Sequence, residues 1–305
     1  MAFSVRAAPD QQVLQESVRA WLRDGRLEPE LDLSIDLRVV QRLEVPADAR
    51  PPVRQRAILM RSGPPENVTR VVWEAAPAYA DIAPGSRVAK VRLSEAAADD
   101  LEHCFRSFLT VVVALLLRRA GWHHVHAATA VAPEGRGWLF AGNSGAGKST
   151  TAALLASRGW QVGTDDIAFM VRAGDHVDVI GRYGAIALRD GGYELVRVGG
   201  GRPLPERGKT GFTPEELGGR WTPRVTPRFL AFTELGHGAT AIEPIAPRDV
   251  LAELMRWSLT GVVEPDSADA YLDVLARLAR QVRSFRLKLG RDILGDPDLL
   301  LRLLP

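Results

Sequence analysis

Cysteine is nearly absent from this sequence: its 305 residues hold one, Cys104. A lone thiol cannot close an internal disulfide, which excludes a disulfide-stapled scaffold and points to a reducing compartment, the cytoplasm. Long apolar runs are missing too. The longest, Phe108 to Leu117 interrupted by Thr110, reaches about half of the ~20 residues that a membrane helix needs. The start, MAFSVRAAPDQQ, has no apolar stretch of the secretory kind. Neither sign of charge predominates. Lys and Arg number 39 against 37 Asp and Glu, a formal charge of +2, with no basic block that would track nucleic acid. Nucleic acid and membrane are therefore not expected as partners. Lysine itself is scarce: Lys90, Lys148, Lys209 and Lys288 are the four, and every other basic residue is arginine. A position that keeps a compact ammonium is informative, because a guanidinium fork does not replace it. What remains is globular in kind, 46% hydrophobic and 25% charged, with length for one large domain or two ordinary ones.

Residues 10–24 show helical spacing, with Val13, Leu14, Val18, Trp21 and Leu22 on one stripe. From Leu31 to Leu93, short alternating runs (LDLSIDLRVV, RAILM, VTRVVW, SRVAKVRL) between Pro- and Gly-bearing turns predict a small β-rich unit. Ser94 then reads as the N-cap of one long helix to about Ala120, apolar on every side over Val111–Leu117 and so buried. After Gly121, HVHAATAVA and GWLFAG predict a hairpin, followed by a helix from Lys148 to about Arg158, the strand WQVGT and a second hairpin turning at Ala173-Gly174-Asp175. Residues 181–224, rich in Gly, Pro and Arg, predict long loops around a strand or two. FLAFTEL and FRLKLG read as strands, 247–260 and 266–283 as helices, and DPDLLLRLL as a short closing helix. The partial alternation predicts an α+β or mixed α/β fold. Residues 1–120 hold the first helix, the β-rich unit and the long helix; 121–305 form a second domain.

Gly142-Asn143-Ser144-Gly145-Ala146-Gly147-Lys148-Ser149 satisfies G-x-x-x-x-G-K-[ST] at every position, between an apolar strand and a helix. Glycines let successive backbone N–H groups turn inward around phosphate oxygens, and the helix N-terminus adds partial positive charge. Lys148 suits the β- and γ-phosphates and the Ser149 hydroxyl suits Mg²⁺, so ATP and Mg²⁺ are the expected ligands. Asp165-Asp166 ends the next strand. One carboxylate can hold the metal while the other orients or deprotonates an attacking hydroxyl. His123, His124 and His126 precede the loop, with His124 and His126 on one face of a strand. A metal site, an acid/base and a charge partner for the aspartates are all open to them, as is simple packing. Lys209, in the glycine-flanked basic run Arg207-Gly208-Lys209-Thr210-Gly211, suits a loop closing over a transferring phosphoryl group, with Arg189 a weaker candidate of the same kind.

The string HVHAATAV followed by GWLFAGNSGAGKSTTAALLASRGWQVGTDDIAF resembles the core of the HPr serine kinases, of the HPr kinase and phosphoenolpyruvate carboxykinase superfamily. The resemblance extends more loosely over about 120–305. It implies a P-loop kinase core over that region, following the N-terminal β-rich domain read from the residue pattern of 1–120, which the resemblance does not reach, and it implies residue roles. Gly142, Asn143, Ser144, Gly145, Ala146, Gly147, Lys148, Ser149 and Thr150 would bind ATP, and Ser149 with Asp165 the metal. Asp165, Asp166 and His126 would form the catalytic set, with the identity of the base left open, and Lys209 joins that set from the reading of its own loop. Thr150 stands where HPr kinase/phosphorylases carry glutamate, and Arg-Tyr-Gly-Ala-Ile-Ala stands where they carry Glu-Ile-Arg-Gly-Leu-Gly. The resemblance is thus to a relative of those enzymes. The function it implies is ATP- and Mg²⁺-dependent transfer of phosphate to a hydroxyl, with serine of a peptide or small carrier protein first. A sugar or metabolite kinase and a nucleotide-binding regulatory module are the alternatives, and a homo-oligomer is left open.

Overall fold

The structure, a computed structural model, describes residues 4–7, 11–24, 33–44, 53–55, 58–63, 68–196, 198–204, 208–257 and 265–305. The chain divides into two compact units: Met1–His123 with Leu259–Tyr271, and His124–Ser258 with Leu272–Pro305. It is a mixed α/β protein with several sheets.

The first unit contains β1 (Ser4–Ala7), α1 (Gln12–Asp24), β2 (Ser34–Val40), β3 (Val53–Gln55), β4 (Ile58–Gly63), β5 (Val68–Trp73), β6 (Ala78–Ile82) and β7 (Val88–Ser94). Its strands form one seven-stranded sheet in the order β1-β2-β7-β6-β5-β4-β3. Alternation sets the faces: Ala78, Ala80 and Ile82 of β6 and Ala89, Val91 and Leu93 of β7 are buried. Where Arg70 and Asp81 oppose each other, the guanidinium grips the carboxylate through two bonds of 2.6 and 2.8 Å. Of the stripe expected on α1, Val18 is buried; the side chains of Val13, Leu14, Trp21 and Leu22 lie outside the described residues.

The long helix expected over 94–120 is interrupted. Ser94 does cap it, accepting from the Ala97 N–H at 3.2 Å. The first segment, α2 (Glu95–Asp99), stops at Asp100, whose backbone leaves the helix (φ −108°, ψ 62°) and whose carboxylate caps α3 (Leu101–His103). A π-helical turn over Cys104–Leu109 follows, with the Thr110 hydroxyl donating to the Phe105 carbonyl at 2.7 Å, before α4 (Thr110–Arg119). Aspartate and threonine here offer the backbone local partners that compete with regular i→i−4 pairing, a preference that apolar periodicity does not register. Val112–Leu117 of α4 are buried. Cys104 is buried as well, and burial, with Asp100 adding to it, pushes its thiol up to about 12. It is not a nucleophile at neutral pH.

The second unit takes up β8 (Trp122–Val131) from His124 onward, then β9 (Gly137–Ala141), α5 (Lys148–Ala156), β10 (Gln161–Thr164), β11 (Ile167–Ala173), β12 (His176–Gly181), β13 (Ile186–Leu188) and α6 (Asp190–Val196). It continues with β14 (Arg202–Leu204), β15 (Lys209–Phe212), β16 (Arg220–Trp221), β17 (Arg224–Val225), β18 (Pro227–Leu235), β19 (Ala241–Pro244) and α7 (Pro247–Arg256). The last elements are α8 (Pro265–Gln281), which belongs to this unit from Leu272 onward, β20 (Arg283–Leu289), α9 (Asp292–Gly295) and α10 (Leu299–Leu303). Ten strands form a mixed sheet with the main order β17-β12-β11-β8-β9-β18-β20-β19, in which β10 also pairs with β8, and β16 with β10. β9, β18 and β20 are mutually parallel. A separate three-stranded sheet has the order β13-β15-β14.

Trp138 and Phe140, two residues apart on β9, share a face and stack at 5.5 Å; Phe229 of β18 lies 4.6 Å from Trp138. Against this face pack the buried Ala152–Ala156 of α5, whose alanines let the helix approach closely. Residues 181–224 hold more regular structure than their composition predicts. Gly191-Gly192 disguises α6, and Lys209 lies on the central strand of the small sheet rather than in a free loop. Arg207 and the end of the helix expected over 247–260 lie outside the described residues.

Candidate active site

Register brings the site together. β8 and β9 pair antiparallel with Ala127 opposite Ala141, so His126 falls beside the first residue of the Gly142–Gly147 loop. β10 also pairs with β8 and ends at Thr164, opposite Thr129. The next two residues, Asp165 and Asp166, therefore arrive level with His126.

The loop itself depends on glycine at two places. Gly142 has φ +155° and a Cβ there would lie 2.6 Å from the Thr233 carbonyl oxygen. Gly147, at the N-cap of α5, has φ +93°, in the left-handed region that costs a side chain roughly 1–2 kcal/mol. Asn143, Ser144 and Gly145 are exposed, while Ala146 and Lys148 are buried. The first N–H groups of α5, from Lys148, Ser149 and Thr150, have no acceptor within the helix and face the loop's mouth with the helix's partial positive charge. Thr150 lies where α6 abuts α5: a Cβ on Gly192 would sit 3.1 Å from its Oγ1.

Lys148 Nζ donates to the Gly142 and Asn143 carbonyls, each at 2.8 Å, and lies 2.9 Å from His126 Nε2. Three N–H bonds meet three acceptors, so the ammonium is fully engaged across the mouth of the loop. Burial pulls its pKa down to about 8, with Lys209 adding to the effect and Asp166 and Asp165 opposing it. The ammonium can only donate, which makes Nε2 of His126 the acceptor and puts the ring proton on Nδ1. Nδ1 is 2.8 Å from Asp166 Oδ1, so the three residues form one hydrogen-bonded row, Lys148 to His126 to Asp166.

The two aspartates differ in setting. Asp165 is buried; its Oδ2 accepts from the Ala187 N–H at 3.2 Å and its carboxylate from the Ser149 hydroxyl. Burial raises its pKa, with Asp166 adding to the rise; Ser149, Ala187 and the charge of Lys209 pull the other way. Asp166, by contrast, has a side chain 43% exposed and is paired with His126. Lys209 acts electrostatically on both Asp165 and Lys148, and so belongs to the cluster from its place on β15. Arg189 is exposed ahead of α6, its carbonyl accepting from Gly192 and Tyr193.

The other histidines do something different. His124 lies edge-on to Phe169 at 5.8 Å, and burial, with His126 adding to it, holds its pKa at about 4. His123 belongs to the first unit and lies 5.5 Å from Tyr271. Among the described residues no group of three or more His, Cys, Asp or Glu side chains could hold a metal ion. The donors that suit Mg²⁺ are the Ser149 hydroxyl and the Asp165 carboxylate, neighbouring hard oxygen ligands. A buried carboxylate whose ionised form is disfavoured by burial fits a bound cation, which would supply the missing charge. Sequence reasoning missed the Ala187 N–H, the Thr233 backbone behind Gly142 and the Trp257 carbonyl, which accepts from the His126 N–H at 2.6 Å. All three are backbone groups, which carry no side-chain signal.

No family model matches the chain, and no curated protein sequence matches it. Among solved structures it is similar to the Hpr(Ser) kinase/phosphatase from Coxiella burnetii, at 12% identity over 59% of this chain and 93% of that one, with a TM-score of 0.33. No helix is long and apolar enough to cross a membrane among the described residues.

Proposed function

We propose that the protein is an ATP-dependent phosphotransferase that moves a γ-phosphate to a hydroxyl, with serine of a peptide or small protein as the acceptor. The observation that carries this reading is the division of labour between the adjacent aspartates. Asp165 is buried beside Ser149, where a metal would be held, and Asp166 is part-exposed and held by His126. A module that only binds nucleotide needs the first arrangement and has no use for the second.

Mg²⁺, when bound by Ser149 and Asp165, neutralises charge on the phosphates and helps hold them in line. The loop N–H groups hold the phosphate oxygens in place. Lys148, exchanging a loop carbonyl for a phosphate oxygen, offsets their charge at the cost of one internal hydrogen bond. Lys209 adds a second cation whose charge acts on Asp165. Asp166 accepts the acceptor's hydroxyl proton, and the Nδ1–H of His126 fixes the direction of its lone pairs. His126 acts as a positioning residue, locked in one tautomer by Lys148. The P-loop kinase core implied by the sequence resemblance, and a cytoplasmic setting, belong to this same reading.

The test is incubation of the purified protein with Mg²⁺ and γ-labelled ATP in a lysate of its source, beside Asp166→Asn. A labelled peptide or protein band formed by the wild type alone is the expected result. Label confined to small molecules would replace the protein acceptor with a metabolite, and tight ATP binding without any transfer would contradict the reading.

A further inference from the structure

β9, β18 and β20 run parallel, so their carboxyl ends open at one edge of the sheet. In open α/β sheets a ligand lies outside those ends. β9 leads into the phosphate loop, and β18 and β20 end in leucines that reach the same loop. A Cβ placed on Gly147 would come within 2.4 Å of Leu289 Cδ1 and 3.5 Å of Leu235 Cδ2. Leu289 is buried, but Leu235 is 66% exposed, the highest value for a large apolar side chain among the described residues. A single exposed leucine is ordinary on a protein surface. This one stands against a loop shaped for phosphate, on a base built to stay still.

The turns after β18 and β20 clamp one another. Gly236 N–H donates to the Leu289 carbonyl at 2.9 Å, and Gly290 N–H to Thr240 Oγ1 at 2.9 Å. Thr240 in turn donates to the Asp292 carboxylate from both its N–H and its hydroxyl, at 2.8 and 2.5 Å. Gly290 passes so close that a Cβ there would lie 2.1 Å from the Gly238 carbonyl oxygen. Leu235 is thus presented from a fixed double turn.

We propose that this double turn is the nucleobase subsite, with Leu235 as the apolar platform under the base of the bound nucleoside triphosphate. The inference rests on the phosphate-loop reading above. A nucleotide anchored by its phosphates must lay its base on a surface adjoining the loop. On one flank of β9, strand β8 brings His126, and Asp165 and Asp166 crowd in beside it, all charged or polar. The other flank is β18 with β20 beyond, where Leu235 offers the apolar surface that the flat face of a base prefers. Its exposure also means that replacing it leaves the core intact.

Calorimetric titration of the full-length protein with ATP and, separately, with inorganic tripolyphosphate, both with Mg²⁺, tests the assignment. Leu235→Ser should weaken ATP about tenfold, the loss of one apolar contact of leucine size. Tripolyphosphate, which has no base, should bind the variant as it binds the wild type. Leu235→Phe, which keeps an apolar face, should retain ATP binding. Equal affinity of Leu235→Ser and wild type for ATP would overturn the subsite, as would an equal loss for both ligands. Should Lys148→Ala still weaken both ligands in that case, the phosphate loop survives and only the base subsite falls. A wild type that binds neither ligand overturns both.

Discussion

At the scale of single residues, the site is governed by how few unsatisfied groups it tolerates. Lys148 spends its three N–H bonds on Gly142, Asn143 and His126, so its charge is held ready rather than free. Asp165 and Asp166 are neighbours in sequence but not in environment, and their substitutions should separate. Asp165→Asn should reduce the Mg²⁺ dependence of ATP binding, read by titration with and without the metal. Replacing His126 with glutamine should lower turnover while leaving the ATP Kd within a fewfold, because the side chain holds Asp166 directly, reaches the phosphates only through Lys148, and the glutamine amide oxygen can still accept from that ammonium. The buried histidines His123 and His124 contribute to the response to acid. Burial, helped by the charge of Arg118, holds the His123 pKa at about 4 against 6.5 in the unfolded chain. Between those values the unfolded state binds the extra proton, so stability present above pH 6.5 is lost as pH falls toward 4. The Tm of the wild type should drop across that interval, and that of His123→Phe should drop less.

At the scale of elements, the phosphate loop is held from behind by strands that sequence spacing does not connect to it. Gly147→Ala would force a side chain into the left-handed region and against Leu289. ATP affinity should fall at least tenfold, measured by titration, at roughly 1–2 kcal/mol in backbone strain. Leu289 lies 142 residues along the chain from Gly147 (289 − 147), and only the parallel pairing of β18 with β20 brings it there. The same contrast runs through the whole reading. The β8–β9 hairpin, α5, the Asp165-Asp166 turn and β18 were legible because local signals, alternation and glycine spacing, decide them. Helix α6 was hidden by Gly191-Gly192, and β19 carries Pro244, so tertiary pairing overrides propensity in both. The break in the helix after Ser94 came from the capping choice of Asp100, which apolar periodicity cannot see. His126 could be named from sequence, but its partners on both ring nitrogens follow from register.

At the scale of the molecule, the second unit places chemistry on one edge of a mixed sheet whose opposite support is aromatic. Trp138, buried among Phe140, Phe229 and Phe285, sits on the strand that leads into the loop. Trp138→Ala should destabilise by about 3–5 kcal/mol, a loss visible in denaturant unfolding. The claim that matters most is that this edge performs transfer as well as binding. It is tested most directly by the rate at which Asp166→Asn transfers label from saturating Mg²⁺-ATP to its acceptor, with the ATP Kd measured on the same preparation. A rate lowered by roughly 10²–10⁴ at an unchanged Kd is the predicted result. A rate equal to that of the wild type would contradict it.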